Sequence, residues 1–279
     1  MRELLYNPVL IKELKLRFRS VKSSLGLTFY LLAMSIFVFG MIFLATNMTG
    51  SGFFRPDESY FMFIVLTYIQ LALILFITPG LTAGTISTER EKQTLTILLT
   101  TSQRSWQIII GKLAASIAFL LLMLVSGLPI YSLVFLFGGV SPGQLAVIFL
   151  FFLLTVLAIG SLGIMYSTVT KKTIVSMIAT YGSMLFLTGV TAFFFVLAIQ
   201  SGFTSAVQSP SLFAHFWASI NPPMMIFSFV SPEGSQFLTQ ITQVNFPGWI
   251  IYVGFYLLII FVSLFIAIKK LRVNMGKMR

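Results

Sequence analysis

Apolar residues fall along this chain in long uncharged runs, and charge is confined to short clusters between them. A helix needs about 20 apolar residues to cross the hydrocarbon core of a bilayer, so runs of that length are counted as spans. They lie at about 25–46, 60–82, 107–137, 144–167, 174–199 and 249–268. Between Leu113 and Thr170 no charge occurs, which is too long for one crossing and sufficient for two. The turn-rich GGVSPG of Gly138–Gly143 divides it. Pro129 falls late in the third span, where it is expected to kink the helix or mark its end. The first run exceeds the roughly 7–15 apolar residues of a signal-peptide core and no small-residue cleavage site follows it, so it reads as a retained span. The fold class expected is an all-α integral membrane protein, a single unit over 1–279 with six transmembrane helices.

Composition agrees: 57% of residues are hydrophobic and 9% charged, against the roughly 25% charged of soluble domains. The net charge of +11 is explained by topology signalling, because cytoplasmic loops carry the excess of lysine and arginine. Seventeen of the 18 basic residues lie in the N-terminal segment, the loops after spans two and four, and the C-terminal tail, leaving only Arg55 outside. With six spans all four regions share one side, so both termini are expected in the cytoplasm. The segment 200–247 contains the apolar stretch Ser211–Val230. A crossing there would strand the five basic residues of the tail on the wrong side. It is therefore expected to form short interfacial or re-entrant helices on the outer side, broken at Asn221–Pro223, with Trp217 and Trp249 at headgroup level.

Several chemistries are disfavoured. The absence of cysteine excludes disulfides, thiolate metal sites and thiol catalysis. The uncharged runs hold no Asp, Glu, Lys, Arg or His, which counts against a proton-driven carrier. A sodium-coupled carrier using broken helices stays open as an alternative, as does a non-transporting assembly or sensor protein. His215 is the single histidine, with Glu233 the nearest acid in sequence, and reads as an interfacial polar residue rather than a catalyst. No phosphate-binding G-x-x-x-x-G-K-[ST] loop is present, so ATP, if used, is bound by another subunit.

Two basic segments carry the remaining information. In NPVLIKELKLRFRSVK (7–22), Asn7 and Pro8 are start signals for a helix. Leu10, Ile11, Leu14, Phe18 and Val21 then gather on one side, flanked by Lys12, Lys15, Arg19 and Lys22. That pattern predicts an amphipathic helix in the membrane interface, held by anionic headgroups. In STEREKQTLTILLTTSQ (87–103), Thr88 and Glu91 fit a capping box, and Leu95, Leu98 and Leu99 form an apolar face. A short amphipathic helix over 88–103 is expected between spans two and three.

The stretch GTISTEREKQTLTILLTTSQRSWQIIIGK resembles the first cytoplasmic loop of type-2 ABC exporter permeases. There an E-x-E-K/R cluster, a T-L-x-x-L-L-T-T run and a closing G-K recur in that order. NPVLIKELKLRFRS is similar to the N-terminal connecting helix of a branch of the same family. The resemblance implies the membrane subunit of an ATP-driven exporter in the cell membrane, paired with a second permease subunit as a homodimer or a related heterodimer. Catalysis, cofactors and metals are expected to be absent from this chain, with ATP and Mg bound by a separate ABC ATP-binding subunit. It further implies that Glu89, Arg90, Glu91, Lys92, Thr94, Leu95, Leu98 and Leu99 form the coupling helix, and that Lys12, Glu13, Lys15, Arg17 and Arg19 belong to the connecting helix. Spans two and five would line the pathway, and no cargo is indicated.

Overall fold

A computed structural model describes residues 8–49, 56–96, 103–136, 140–203 and 210–276. These residues are helical almost throughout and include no strand. Twelve helices are numbered here in chain order, with spans one to six formed by α2, α3, α5, α6, α7 with α8, and α12. Pro8–Phe18 (α1) precedes the first span, Val21–Thr49 (α2); Pro56–Thr82 (α3) is the second. Ser87–Glu91 (α4) lies before the third span, Ser105–Leu136 (α5), and the fourth, Pro142–Val169 (α6). The fifth is Thr173–Leu185 (α7) and Thr191–Phe203 (α8), joined by a π-helical turn at Phe186–Val190. Leu212–Ile220 (α9), Pro222–Val230 (α10) and Pro232–Thr242 (α11) lead to the sixth, Gly248–Gly276 (α12).

Among the described residues, six helical stretches are long and apolar enough to cross a membrane, which makes this a multi-pass, all-α membrane protein. The spans are apolar on every side, as helices are whose partners include lipid. Burial sorts them into layers: α3, α5 and α6 are the most enclosed spans, and α2, α12 and the fifth span the least. The core therefore sits between α3, α5 and α6. Phe63 and Tyr131 meet edge to face at 6.0 Å there, and Tyr131 meets Phe149 at 5.9 Å. On the flank, α12 is held to α6 by Tyr252, whose hydroxyl bonds Thr155 at 2.5 Å and whose ring stacks on Tyr256 at 4.2 Å.

Several boundaries differ from the sequence expectation for local reasons. The N-terminal helix ends at Phe18, and a new helix starts at Val21, with the amides of Ser23 and Ser24 both bonding the carbonyl of Ser20. Val21 and Lys22 thus belong to the first span, and Val21 is largely exposed. Asn7 lies outside the described residues. Helix α5 continues through Pro129 to Leu136, in keeping with the expected span of about 107–137. Ser141 caps α6 through the amide of Gln144, with Pro142 at the first position. The sequence did not announce the π-helical turn.

Helices α9, α10 and α11 are too short to span a bilayer, at about 1.5 Å per residue. The start and end of α10 bond to α3 in reverse order: Tyr68 donates to the carbonyl of Pro223 and Tyr60 to that of Val230. Helix α10 thus runs antiparallel to the first half of α3, and the chain turns back at Asn221 beside the middle of the bundle. Asn221 caps α10 through Met224 N and donates its amide to Thr188 O and Thr191 Oγ1, fixing the π turn. His215 is 5% exposed and bonds Thr242 Oγ1 through Nδ1, so it is packed inside this segment. Burial lowers its pKa, partly offset by a hydrogen bond with the Phe246 backbone. Trp217 stacks on Phe194 at 4.8 Å, while Trp249 is exposed.

Candidate functional site

The end of the bundle that carries most of the lysine and arginine is built around the segment after α3. Close packing makes its position possible. At Gly163 of α6 an added Cβ would collide with the Thr82 side chain and crowd the Ala83 amide at 3.3 Å. One turn on, Ser167 Oγ accepts from the amides of Ile86 and Ser87, each at 2.9 Å. These amides at the start of α4 are satisfied by a neighbouring span, and no side-chain cap comes from Ile86 at the helix start. The expected capping box between Thr88 and Glu91 does not form. Glu91 instead accepts from the amide of Thr173 at 2.7 Å and from its hydroxyl at 2.9 Å, capping α7. The predicted continuous helix is interrupted after Glu91. Gln93 adopts a left-handed conformation, φ 57°, and the Thr94 amide bonds back to Glu89 O.

A buried cation ties this loop to α5 and α1. Lys112, two turns into α5, is 3% exposed, and its ammonium lies 2.7 Å from Glu13 Oε1 on α1 and 2.6 Å from Glu89 Oε1 on α4. A buried ammonium has three donors and needs such partners. Glu13 and Glu89 are each about a quarter exposed or less, so the cluster is shielded on its α5 side and reachable from the other. Arg90 points elsewhere: its guanidinium donates to the carbonyls of Thr168 and Thr170, which end α6. There it supplies both a donor and a positive charge where the helix dipole favours one. Arg17 donates to Leu81 O, 3.1 Å away near the end of α3. Burial lowers its pKa and the nearby Glu13 carboxylate partly restores it.

The residues assigned by resemblance therefore divide. Glu89, Arg90, Glu91 and Glu13 are committed to contacts within the chain, while Arg17 uses one donor of its guanidinium on Leu81 O. Leu95 is 6% exposed and joins the main hydrophobic core, so it is not an outward-facing docking leucine. Lys92, Thr94, Lys12, Lys15 and Arg19 are exposed, with Gln93 and Thr96 beside the first two. Leu98 and Leu99 lie outside the described residues. Lys112, Ser167 and Thr173 were not among the candidate residues, although they organise the site. The usable signal was Lys112 itself, a lone cation opening an uncharged run, with Glu13 the single acid between Pro8 and Phe18. Among the described residues no three His, Asp or Glu side chains come close enough to hold a metal.

Mechanically, the arrangement joins the ends of α1, α3, α5, α6 and α7 through one five-residue helix. Displacing α4 would pull on Lys112 in α5, on Ser167 and the last carbonyls of α6, and on the first turn of α7. Neither a protein-family model nor a curated protein sequence matches this chain.

Proposed function

We propose that this protein is the membrane-embedded permease subunit of an ATP-driven exporter of the type-2 ABC kind, and that its basic end faces the cytoplasm. The observation that carries the reading is the tethering of α4. A loop meant only to signal topology needs charges but no fixed geometry, whereas here Glu89, Arg90 and Glu91 each lock to a different helix. The exposed tip at Lys92–Thr94 is the surface offered to a separate ATP-binding subunit, and the locked charges convey its movement to spans three, four and five. This modifies the role given to the acidic and basic cluster: the charges hold the lever inside the permease, and the tip beyond them docks. ATP and Mg belong to the partner, and a second permease subunit completes the pathway.

The test uses the full chain co-expressed with candidate ABC ATP-binding subunits. Co-purification and stimulated ATPase activity are expected for the wild type. The double variant Lys92→Glu with Thr94→Arg alters the exposed tip and should reduce both at least tenfold while its unfolding temperature stays within about 2 °C of wild type. Association and stimulation unchanged by the double variant would overturn the docking assignment. Failure of every ATP-binding subunit to associate with wild-type protein would overturn the exporter reading.

A further inference from the structure

A cleft of about 510 Å³ opens between α2, α3 and α5, near the same basic end. It is lined by Gly26 and Ala33 of α2, Ile77 and Leu81 of α3, and Phe119 and Met123 of α5. That volume falls within the roughly 300–1,000 Å³ of small-molecule sites. On its α2 side the small Ser23, Gly26 and Ala33 alternate with the rings of Phe29 and Tyr30. A Cβ built on Gly26 would meet only Met123 Cε, at 3.9 Å, so the space beside this glycine is not needed for helix packing. From Ser23 at one end to Ala33 at the other is ten residues, or about 15 Å of helix. That is half of the roughly 30 Å hydrocarbon core, the depth of one leaflet.

Charge marks the mouth. Arg17 donates to the carbonyl of Leu81, a residue of the cleft wall, and the Phe18 ring meets Phe119, another wall residue, edge-on at 6.3 Å. Helix α1 is thereby pinned at the basic end of the cleft, with Lys12, Lys15 and Arg19 exposed along or just beyond it. The one described acid of α1, Glu13, is engaged by Lys112. An apolar channel one leaflet deep with a cationic rim is complementary to a lipid with an anionic headgroup.

We propose that this cleft binds one anionic glycerophospholipid, with an acyl chain along Gly26–Ala33 and its phosphate at Arg17. The lipid fills the gap beside α2, which is among the least enclosed spans, and fixes α1 against α5 where Glu13 meets Lys112. The site does not depend on the exporter reading and would serve any function of this fold.

The full chain is purified in non-ionic detergent, stripped of lipid, and exposed to dioleoyl phosphatidylglycerol or dioleoyl phosphatidylcholine. Native mass spectrometry counts the retained lipid, and thermal unfolding is followed in parallel. One phosphatidylglycerol per chain is expected at concentrations that leave at least fivefold less phosphatidylcholine, together with a higher unfolding temperature. Gly26→Leu should occupy the cleft and lower phosphatidylglycerol retention at least fivefold. Arg17→Gln should reduce phosphatidylglycerol to the phosphatidylcholine level. Equal retention of the two lipids by wild type, or undiminished phosphatidylglycerol in a folded Gly26→Leu protein, would overturn the site. Should Gly26→Leu fail to fold, Ala33→Phe at the deep end is judged by the same criterion.

Discussion

Replacing Lys112 by methionine is the most direct probe of how the basic end is held together. Methionine has a similar length and keeps the apolar stem, so packing within α5 changes little. What disappears is the ammonium, leaving the Glu13 and Glu89 carboxylates facing each other across its former position. Removing one partner of a buried ion pair costs roughly 3–5 kcal/mol, because the charge left behind is desolvated and unpaired. The carboxylates here are 22% and 25% exposed, so water and rotation recover part of that, and a loss of about 3 kcal/mol is expected. At roughly 2–4 °C per kcal/mol for chains of comparable size, the unfolding temperature in detergent should fall by about 6–12 °C. The triple variant Lys112→Met with Glu13→Gln and Glu89→Gln removes all three charges and should recover at least half of the loss, because apolar or neutral replacement of a whole ion cluster is often tolerated. If Lys112→Met lies within 1 °C of wild type, or the triple variant is no more stable than the single one, the ammonium is not what joins α1, α4 and α5.

Two further outcomes test separate parts of the geometry. Gly163→Ala should destabilise by about 1–3 kcal/mol through overpacking against Thr82, whereas Gly182→Ala, whose Cβ meets nothing within 4 Å, should be neutral or slightly stabilising in the same melts. His215 has a pKa lowered by burial, so below its ordinary value near 6.5 the unfolded state takes up a proton before the folded state does. Stability should therefore fall as pH drops from 6.5 towards 5. His215→Gln should remove that part of the slope, and an unchanged slope would show that other groups set it.

The spans were legible because burial in lipid and burial in protein demand the same thing of a side chain, so an apolar run of sufficient length fixes a helix whichever surrounds it. The break between spans three and four was equally clear, since the glycines and proline that mark it act locally. The π turn at Phe186–Val190 was not, because what stabilises it comes from Asn221, over thirty residues away. The hairpin around Asn221 was partly readable: two prolines announced the break, but only Tyr60 and Tyr68 reveal that α10 runs back along α3.

The charged cluster after α3 illustrates a different limit. The S/T-x-x-E spacing assigned Glu91 to a capping box with Thr88, and the motif was correct in composition but wrong in partner, since the same carboxylate satisfies the amide and hydroxyl of Thr173. A local motif competes with any tertiary donor that packing brings within reach, and Gly163 brings α6 close enough for α7 to start beside α4. Leu95 follows the same logic: an amphipathic pattern identifies a face that must be buried, without saying against what. Here the interior of the chain claims it, leaving Lys92, Gln93 and Thr94 as the exposed part. Among the described residues, those three project beyond an α4 fixed at Lys112, Ser167 and Thr173, so a partner acting on the loop would make its contact there and move several helix ends together.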